Sequence, residues 1–339
     1  MPTSQTEKQI YKTIDSSLNP LLISHENPDG DTLGASLALS YHLTSKGKKH
    51  KHFCLNQPAD YFSYLPHIEK IITDQSEIDL NNHDLIIAID CGSINRTGLA
   101  ENLTKAKNNL TIINIDHHYS NDNYGHYNLV SPTASSTSEI MYKFFETNNV
   151  EVDKYIATAL LTGILSDTMN FTNAATTRDS LKIASELLKF GARTGQIVNN
   201  LMQNKNVFAL KLWGKILSRT EIQPEYNFAY TAIAREDFLS SAIEREDVDG
   251  LVNFLSSLQD VNFILVLSEE EDDTIKGSLR TTKENIDVAK IAQAFGGGGH
   301  KKAAGFKIEK KIMGETIGWK DFIISAIINE LNKTKSQLL

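Results

Sequence analysis

Hydrophobic and polar positions along the chain follow two regimes. In the first half, short solid apolar runs alternate with longer stretches of helical period. Leu21-Leu22-Ile23-Ser24, Leu85-Ile86-Ile87-Ala88-Ile89 and Leu110-Thr111-Ile112-Ile113-Asn114-Ile115 are rich in β-branched residues and read as buried strands. A further short strand is expected near Lys51 to Leu55. Helices are expected over 1–19, from Thr32 to Lys46 with Gly47 as the cap, and near 134–148, 153–165 and 178–190, the last stopped by Gly191. Strands alternating with helices imply parallel βαβ units. Residues 192–218, with Ile197, Leu201, Phe208, Leu212 and Ile216 apolar, read as a helical connector. After Pro224 the pattern changes: Phe228 to Ala234, Val261 to Leu267 and Thr274 to Arg280 read as strands of a second sheet, with helices over 247–258, 286–295 and 319–333. The expected fold is α/β. It comprises an N-terminal domain (1–191) built on a doubly wound, mainly parallel sheet, the connector, and a smaller C-terminal α/β domain (219–339).

Composition bounds the function. At 339 residues the chain exceeds the usual size of one core, in keeping with two domains. No apolar run approaches the roughly 20 residues needed to cross a bilayer, and the polar first 19 residues lack the apolar centre of a signal peptide. A soluble, cytoplasmic protein with no membrane partner is expected. The net charge of −8 argues against gripping long DNA by general electrostatics, but leaves room for a short anion in a local basic pocket. Cys54 and Cys91 form no CxxC pair and read as reduced, buried small hydrophobes.

The strand-like runs share one property: each ends in ionisable residues. Ser24 leads into His25-Glu26-Asn27-Pro28-Asp29-Gly30-Asp31, Ile89 into Asp90, and Ile115 into Asp116-His117-His118, while a helical stretch ends in Gly163-Ile164-Leu165-Ser166-Asp167. Open α/β sheets bind ligands in the crevice outside the carboxyl ends of their strands. Pro28 and Gly30 force a turn that lets the flanking side chains fan around a point. With Asp90, His117 and Asp167, the residues His25, Asp29 and Asp31 make six oxygen and nitrogen ligands and no thiolate. That set is too large for one tetrahedral zinc and suits two divalent ions, Mn2+ above Mg2+ because of the imidazoles. The charges of Asp29, Asp31, Asp90 and Asp167 would balance two such ions. In the second half, Gly296 to Gly299 run into His300, Lys301 and Lys302; consecutive glycines let backbone N–H groups approach an anion. Arg280 is a further candidate phosphate clamp. Two ions about 3.5–4 Å apart serve in-line displacement at phosphorus, so the inferred reaction is metal-assisted phosphoester hydrolysis.

The set His25-x-x-Pro28-Asp29-x-Asp31-x-x-Gly34, Asp90, Asp116-His117-His118 and Asp167, followed by Gly296-Gly297-Gly298-Gly299-His300, resembles the DHH/DHHA1 phosphoesterase superfamily over nearly the whole chain. Size and two-domain layout look most like the nanoRNase/oligoribonuclease and pAp-phosphatase branch. The resemblance implies that His25, Asp29 and Asp90 hold one ion, and that Asp31, Asp90, His117 and Asp167 hold the other, with Asp90 bridging. The ions would be Mn2+, with Mg2+ or Co2+ as substitutes. His118 would act at the scissile phosphate, with Asp90 and Asp116 as its partners in catalysis, Asp116 by orienting a histidine. Arg280, Gly297, Gly298, Gly299 and His300 would hold substrate phosphate across a cleft between the domains. The substrates implied are very short oligonucleotides, cut to nucleoside 5′-monophosphates, and pAp; linear or cyclic dinucleotides and polyphosphate are the alternatives, and a homodimer is allowed. Tyr119 and Phe171 lie near the metal motifs and read as packing aromatics or base platforms. The histidines outside the motifs (His42, His50, His52, His67, His83 and His126) read as surface or satisfied core residues.

Overall fold

The computed structural model describes residues 4–106, 110–173, 175–201, 207–238, 251–256, 258, 260–270, 272–310 and 318–333. The chain forms two compact units, Met1–Asn204 and Lys205–Leu339.

The first unit is built on six strands: β1 (Pro20–Ser24), β2 (Lys51–Phe53), β3 (Ile71–Ile72), β4 (Leu85–Ile89), β5 (Thr111–Asp116) and β6 (Tyr127–Val130). They lie in the order β3-β2-β1-β4-β5-β6, every pair parallel. The order reverses between β1 and β4, which is the topological switch point of a doubly wound sheet. β1 and β4 are buried along their full length, as solid apolar runs require, and their side chains divide by parity. Leu22, Ile87 and Ile113 join one core, Leu21, Ile23 and Ile86 the other. The cover of the two faces is unequal. The first core takes in residues of α1 (Ser4–Ser16), α2 (Gly30–Ser45), α4 (Thr137–Thr147), α5 (Lys154–Asp167), α6 (Arg178–Lys189) and α7 (Thr194–Leu201), whereas the second is closed by α3 (Ala100–Ala106) and loop residues such as Ile78 and Tyr124.

The second unit begins with α8 (Val207–Ser218), so the connector expected over 192–218 supplies one helix to each unit: Ile197 packs in the first core, Leu212 and Ile216 in the second unit. Its strands are β7 (Glu221–Gln223), β8 (Phe228–Ile233), β9 (Ile264–Glu269), β10 (Thr274–Arg280), β11 (Gly298–His300) and β12 (Ala303–Glu309), in the order β11-β12-β10-β9-β8-β7, antiparallel except for β8 with β9. The helices α10 (Val288–Gln293) and α11 (Trp319–Lys333) share a core with one face of this sheet, through Phe228, Leu265, Leu279 and Phe306. On the other face α8 and α9 (Leu251–Leu255) pack on Ala229, Ile264 and Val266. The helix expected over 247–258 is seen as α9; residues 247–250 lie outside the described residues. β12 escapes a sequence reading because Ala303, Ala304 and Gly305 lack strand character and read as an extension of the glycine loop. No helix of the described residues is long and apolar enough to cross a membrane.

Candidate metal centre

The six candidate ligands meet at the switch point. The turn after β1 carries His25, buried, and Asp29, half-exposed, which caps α2: its Oδ1 accepts from the backbone N–H groups of Asp31 (2.9 Å) and Thr32 (3.1 Å). Its Oδ2 is left 3.6 Å from His25 Nε2. Asp90 follows β4 in the left-handed region (φ 62°), where only a short polar side chain is readily tolerated, and its N–H is fastened to Ile115 O at 2.8 Å. That turn leaves the two Asp90 oxygens facing different partners. Oδ2 lies 3.5 Å from His25 Nε2, while Oδ1 lies 3.8 Å from His117 Nε2 and 3.5 Å from His118 Nδ1. His117 Nε2 also lies 3.1 Å from Asp167 Oδ2 at the end of α5 and 3.9 Å from Asp31 Oδ2. His25, Asp29 and Asp90 can thus converge on one point, and Asp31, His117 and Asp167 on a second. A third grouping, Asp90 with His117 and His118, overlaps both His117 and Asp90.

Glycines make the room. A Cβ on Gly163 of α5 would stand 1.9 Å from Ser138 Oγ and 2.7 Å from Asp31 Oδ1, and one on Gly34 would stand 2.5 Å from Ala159 O. α2 and α5 therefore approach backbone to backbone, bringing Asp31 and Asp167 to the same place. Asp31 is also held by the N-terminus of α4: Thr137 N donates to Oδ2 (2.6 Å) and Ser138 N to Oδ1 (2.8 Å), while Thr137 Oγ1 donates to Asp90 Oδ1 (2.7 Å). Sequence reasoning missed these two residues. The signal available was the hydroxyl run Ser135-Ser136-Thr137-Ser138 before a helix.

The charges of this cluster do not balance within the protein. Burial, then the charge of Asp90, pushes the Asp31 carboxyl up to about 7. Burial, then Asp31 and Asp90, raises Asp167 well above the ordinary carboxylate range, and burial raises Asp90. Burial opposes a charge on His25, yet its contacts with Asp29 and Asp90 lift it to about 9. Buried carboxylates so close together are stable only with protons or cations between them. The donor set, two imidazoles and four carboxylates with no thiolate, fits two hard-to-borderline divalent cations. Asp90, with one oxygen toward each group, is the residue able to serve both.

His118 stands apart from the others in its partner. Its Nδ1 bonds Asp116 Oδ1 at 2.7 Å; the same oxygen accepts the N–H groups of His117 (2.7 Å) and His118 (3.2 Å), and Asn121 Nδ2 donates to Oδ2. Asn121 is held in turn by Asn114 Nδ2 on β5, at 2.8 Å. Asp116 is fully buried and belongs to none of the ligand groups. It orients His118, whose pKa its hydrogen bond raises. Asn121 is a further residue that sequence reasoning missed. Tyr119 is 81% exposed beside His118, whereas Phe171 packs on the first core.

The second unit carries the other candidates. Gly298 to His300 form β11 rather than an open loop. A Cβ on Gly297 would stand 2.1 Å from Gly305 O, and one on Gly299, at φ 142°, 2.5 Å from Ala303 O. Close packing on β12 is thus a reason for glycine at both, while Gly298 faces open space. Arg280 and His300 both pair with Ala303, on either side of β12, so the two point to one face of the sheet. Arg280 Nη1 donates to Leu279 O at 2.9 Å, and burial lowers its pKa. Lys302 is used structurally, on Glu284 (3.1 Å) and the carbonyl of Thr282 (3.4 Å), and Lys301 is exposed. Cys54 and Cys91 are both buried and free.

Known proteins place this arrangement. The model of the DHH family, N-terminal domain, matches residues 20–164, and that of the DHHA1 domain matches 225–335. Among curated relatives, the "bifunctional oligoribonuclease and PAP phosphatase NrnA" of Thermus thermophilus is 29% identical over 88% of this chain and 86% of its own length. The protein of the same name from Bacillus subtilis is 25% identical over 88% and 92%. A solved structure, described as an exopolyphosphatase-related protein from Bacteroides fragilis, shares the fold with a TM-score of 0.86 at 24% identity, covering 98% of this chain and 97% of that one. With both domain models matched in order and the motif residues gathered at the switch point, the chain belongs to the DHH/DHHA1 superfamily of phosphoesterases.

Proposed function

We propose that this protein is a manganese-dependent phosphodiesterase that hydrolyses very short oligonucleotides to nucleoside 5′-monophosphates and also removes the 3′-phosphate from pAp. The observation that carries the reading is the pair of ligand groups with Asp90 between them, one oxygen 3.5 Å from His25 and the other 3.8 Å from His117. The relatives named oligoribonuclease and PAP phosphatase support the substrate class. Cations bound there would neutralise the carboxylates and supply Lewis acidity and an activated water. The chain's own residues do the rest. His25, Asp29 and Asp90 serve one site; Asp31, Asp90, His117 and Asp167 serve the other. His118, raised in pKa and fixed by Asp116, is placed to give a proton to the leaving oxygen as its bond to phosphorus breaks. In this reading Arg280, His300 and the N–H groups of Gly297 to Gly299 hold phosphate from the second unit, a guanidinium being suited to bidentate contact. Two buried, unpaired cysteines support a reducing, cytoplasmic setting.

The experiment is manganese-dependent hydrolysis of a dinucleotide, a five-mer, a 24-mer, pAp, a cyclic dinucleotide and polyphosphate, with Asp90→Asn as control. Turnover concentrated on the two- to five-mers and pAp, and lost in the variant, is the expected outcome. Turnover of polyphosphate alone would keep the metal centre and overturn the substrate. Metal uptake without turnover of any substrate would leave a nucleotide-binding protein.

A further inference from the structure

The amino edge of the first sheet, opposite the metal centre, carries a cavity of about 260 Å³ whose wall is strongly basic. Lys48, Lys49, Lys51, Lys70, His50 and His52 line it. Lys51 sits beside Leu21 at the start of β1, four residues before His25, which puts the two about 13 Å apart along the strand. Thr44, on the same wall, lies near the C-terminus of α2, the helix whose other end carries Asp29 and Asp31; the helix spans about 20 Å between them. Cavity and metal centre therefore open at opposite ends of the same elements.

Two observations point to a ligand. First, none of the four lysines has a carboxylate within 4 Å among the described residues. Lys48 donates to the carbonyls of Asp15 (2.5 Å) and Ser17 (2.8 Å) and Lys51 to that of Glu77 (2.7 Å), which positions the ammonium groups without cancelling their charge. Lys49 and Lys70 are exposed, with no side-chain hydrogen bond or ion pair among the described residues. In a chain of net charge −8, four uncompensated cations around one cavity make a local reversal of sign. Second, the lining residue His52 keeps a buried polar atom without a protein partner. His52 is 2% exposed, and its Nε2 bonds Ser24 Oγ at 2.9 Å, but its Nδ1 has no partner among the described residues. His50, beside it, is held on both nitrogens, by Ser40 Oγ (2.8 Å) and Lys48 O (3.1 Å).

We propose that this cavity is a second anion site, distinct from the metal centre, which binds a small polyphosphorylated molecule through Lys48, Lys49, Lys51 and Lys70. One monoanionic group would leave most of the lysine charge unmatched; two or three linked phosphates match it.

The test is calorimetric titration of the metal-loaded full chain with the magnesium complexes of ATP and of inorganic tripolyphosphate. Wild-type protein and two charge-matched variants are compared, Lys49→Glu/Lys70→Glu in the cavity and Lys105→Glu/Lys182→Glu elsewhere. Both ligands should bind with one equivalent in wild type. Affinity should fall about tenfold or more in the cavity variant and stay within about twofold in the other. Dinucleotide hydrolysis, measured without added ligand, should be unchanged in both variants, which shows that each is folded. Equal weakening in the two variants would reduce the effect to net charge and overturn the proposal. So would absence of binding, binding of ATP without tripolyphosphate, or competitive inhibition of dinucleotide hydrolysis that persists in the cavity variant.

Discussion

At the scale of single residues, the centre depends on side chains whose second contacts decide their role. Asp90 occupies a left-handed turn that asparagine also tolerates. Asp90→Asn should therefore fold, lose bound metal as measured by elemental analysis, and lose essentially all hydrolysis; full metal content in this variant would sink the bridging role. His118→Ala should cost about 10²–10⁴-fold in kcat, with metal content unchanged. Asn121→Ala, which removes the donor holding Asp116 Oδ2, should cost about 10–100-fold. An Asn121→Ala enzyme with wild-type kcat and an unshifted pH profile would separate that asparagine from catalysis. On β2, burial and then His50 hold the His52 pKa down to about 3. Its folded value lies below the ordinary one of 6.5, so the unfolded chain takes the proton first. Stability is full above pH 6.5, falls as pH drops from there, and stops falling near pH 3, by on the order of several kcal/mol. Urea unfolding at pH 7.5 and pH 5 should show a smaller loss in His52→Gln than in wild type. The ionisable ligands were legible in sequence because each closes an apolar run. Asn121, Thr137 and the orphan nitrogen of His52 were not, since a hydrogen bond between distant segments leaves no periodic trace.

Among elements, β1, β4 and β5 were readable as solid runs, and α11 falls on the expected residues 319–333. Others were not: β3 has two residues and β6 four, β11 is mostly glycine, and β12 opens on Ala303-Ala304-Gly305. Sequence suggested a phosphate nest for the glycine run. The structure adds that Gly297 and Gly299 lie too close to β12 to carry a side chain. The contact between α2 and α5 is equally strict. Gly34→Ala would drive a methyl group to 2.5 Å from Ala159 O and 2.9 Å from Gly163 N. We expect a loss of about 1–3 kcal/mol from overpacking, seen as an earlier thermal transition, together with weaker metal binding because Asp31 and Asp167 ride on these helices. A variant with wild-type melting and metal affinity would show that the helices can part at no cost.

For the whole molecule, two units with separate cores predict two unfolding transitions. All six ligands belong to the first unit. Added Mn2+ should therefore raise one transition, by about 2.7 kcal/mol at a hundredfold excess over Kd, and leave the other in place. Chelator should reverse the shift. A single transition that moves as one would contradict the division. The spread of the ligands along the chain also has a consequence for biosynthesis. His25, Asp29 and Asp90 have all left the ribosome once residue 90 has emerged, but the set of Asp31, His117 and Asp167 waits for residue 167. At about 5–20 residues per second several seconds separate the emergence of residue 90 from that of residue 167, so, if the two groups hold ions as proposed, the nascent chain owns the residues of one group before those of the other, and the second ion can be held only once α5 has been made.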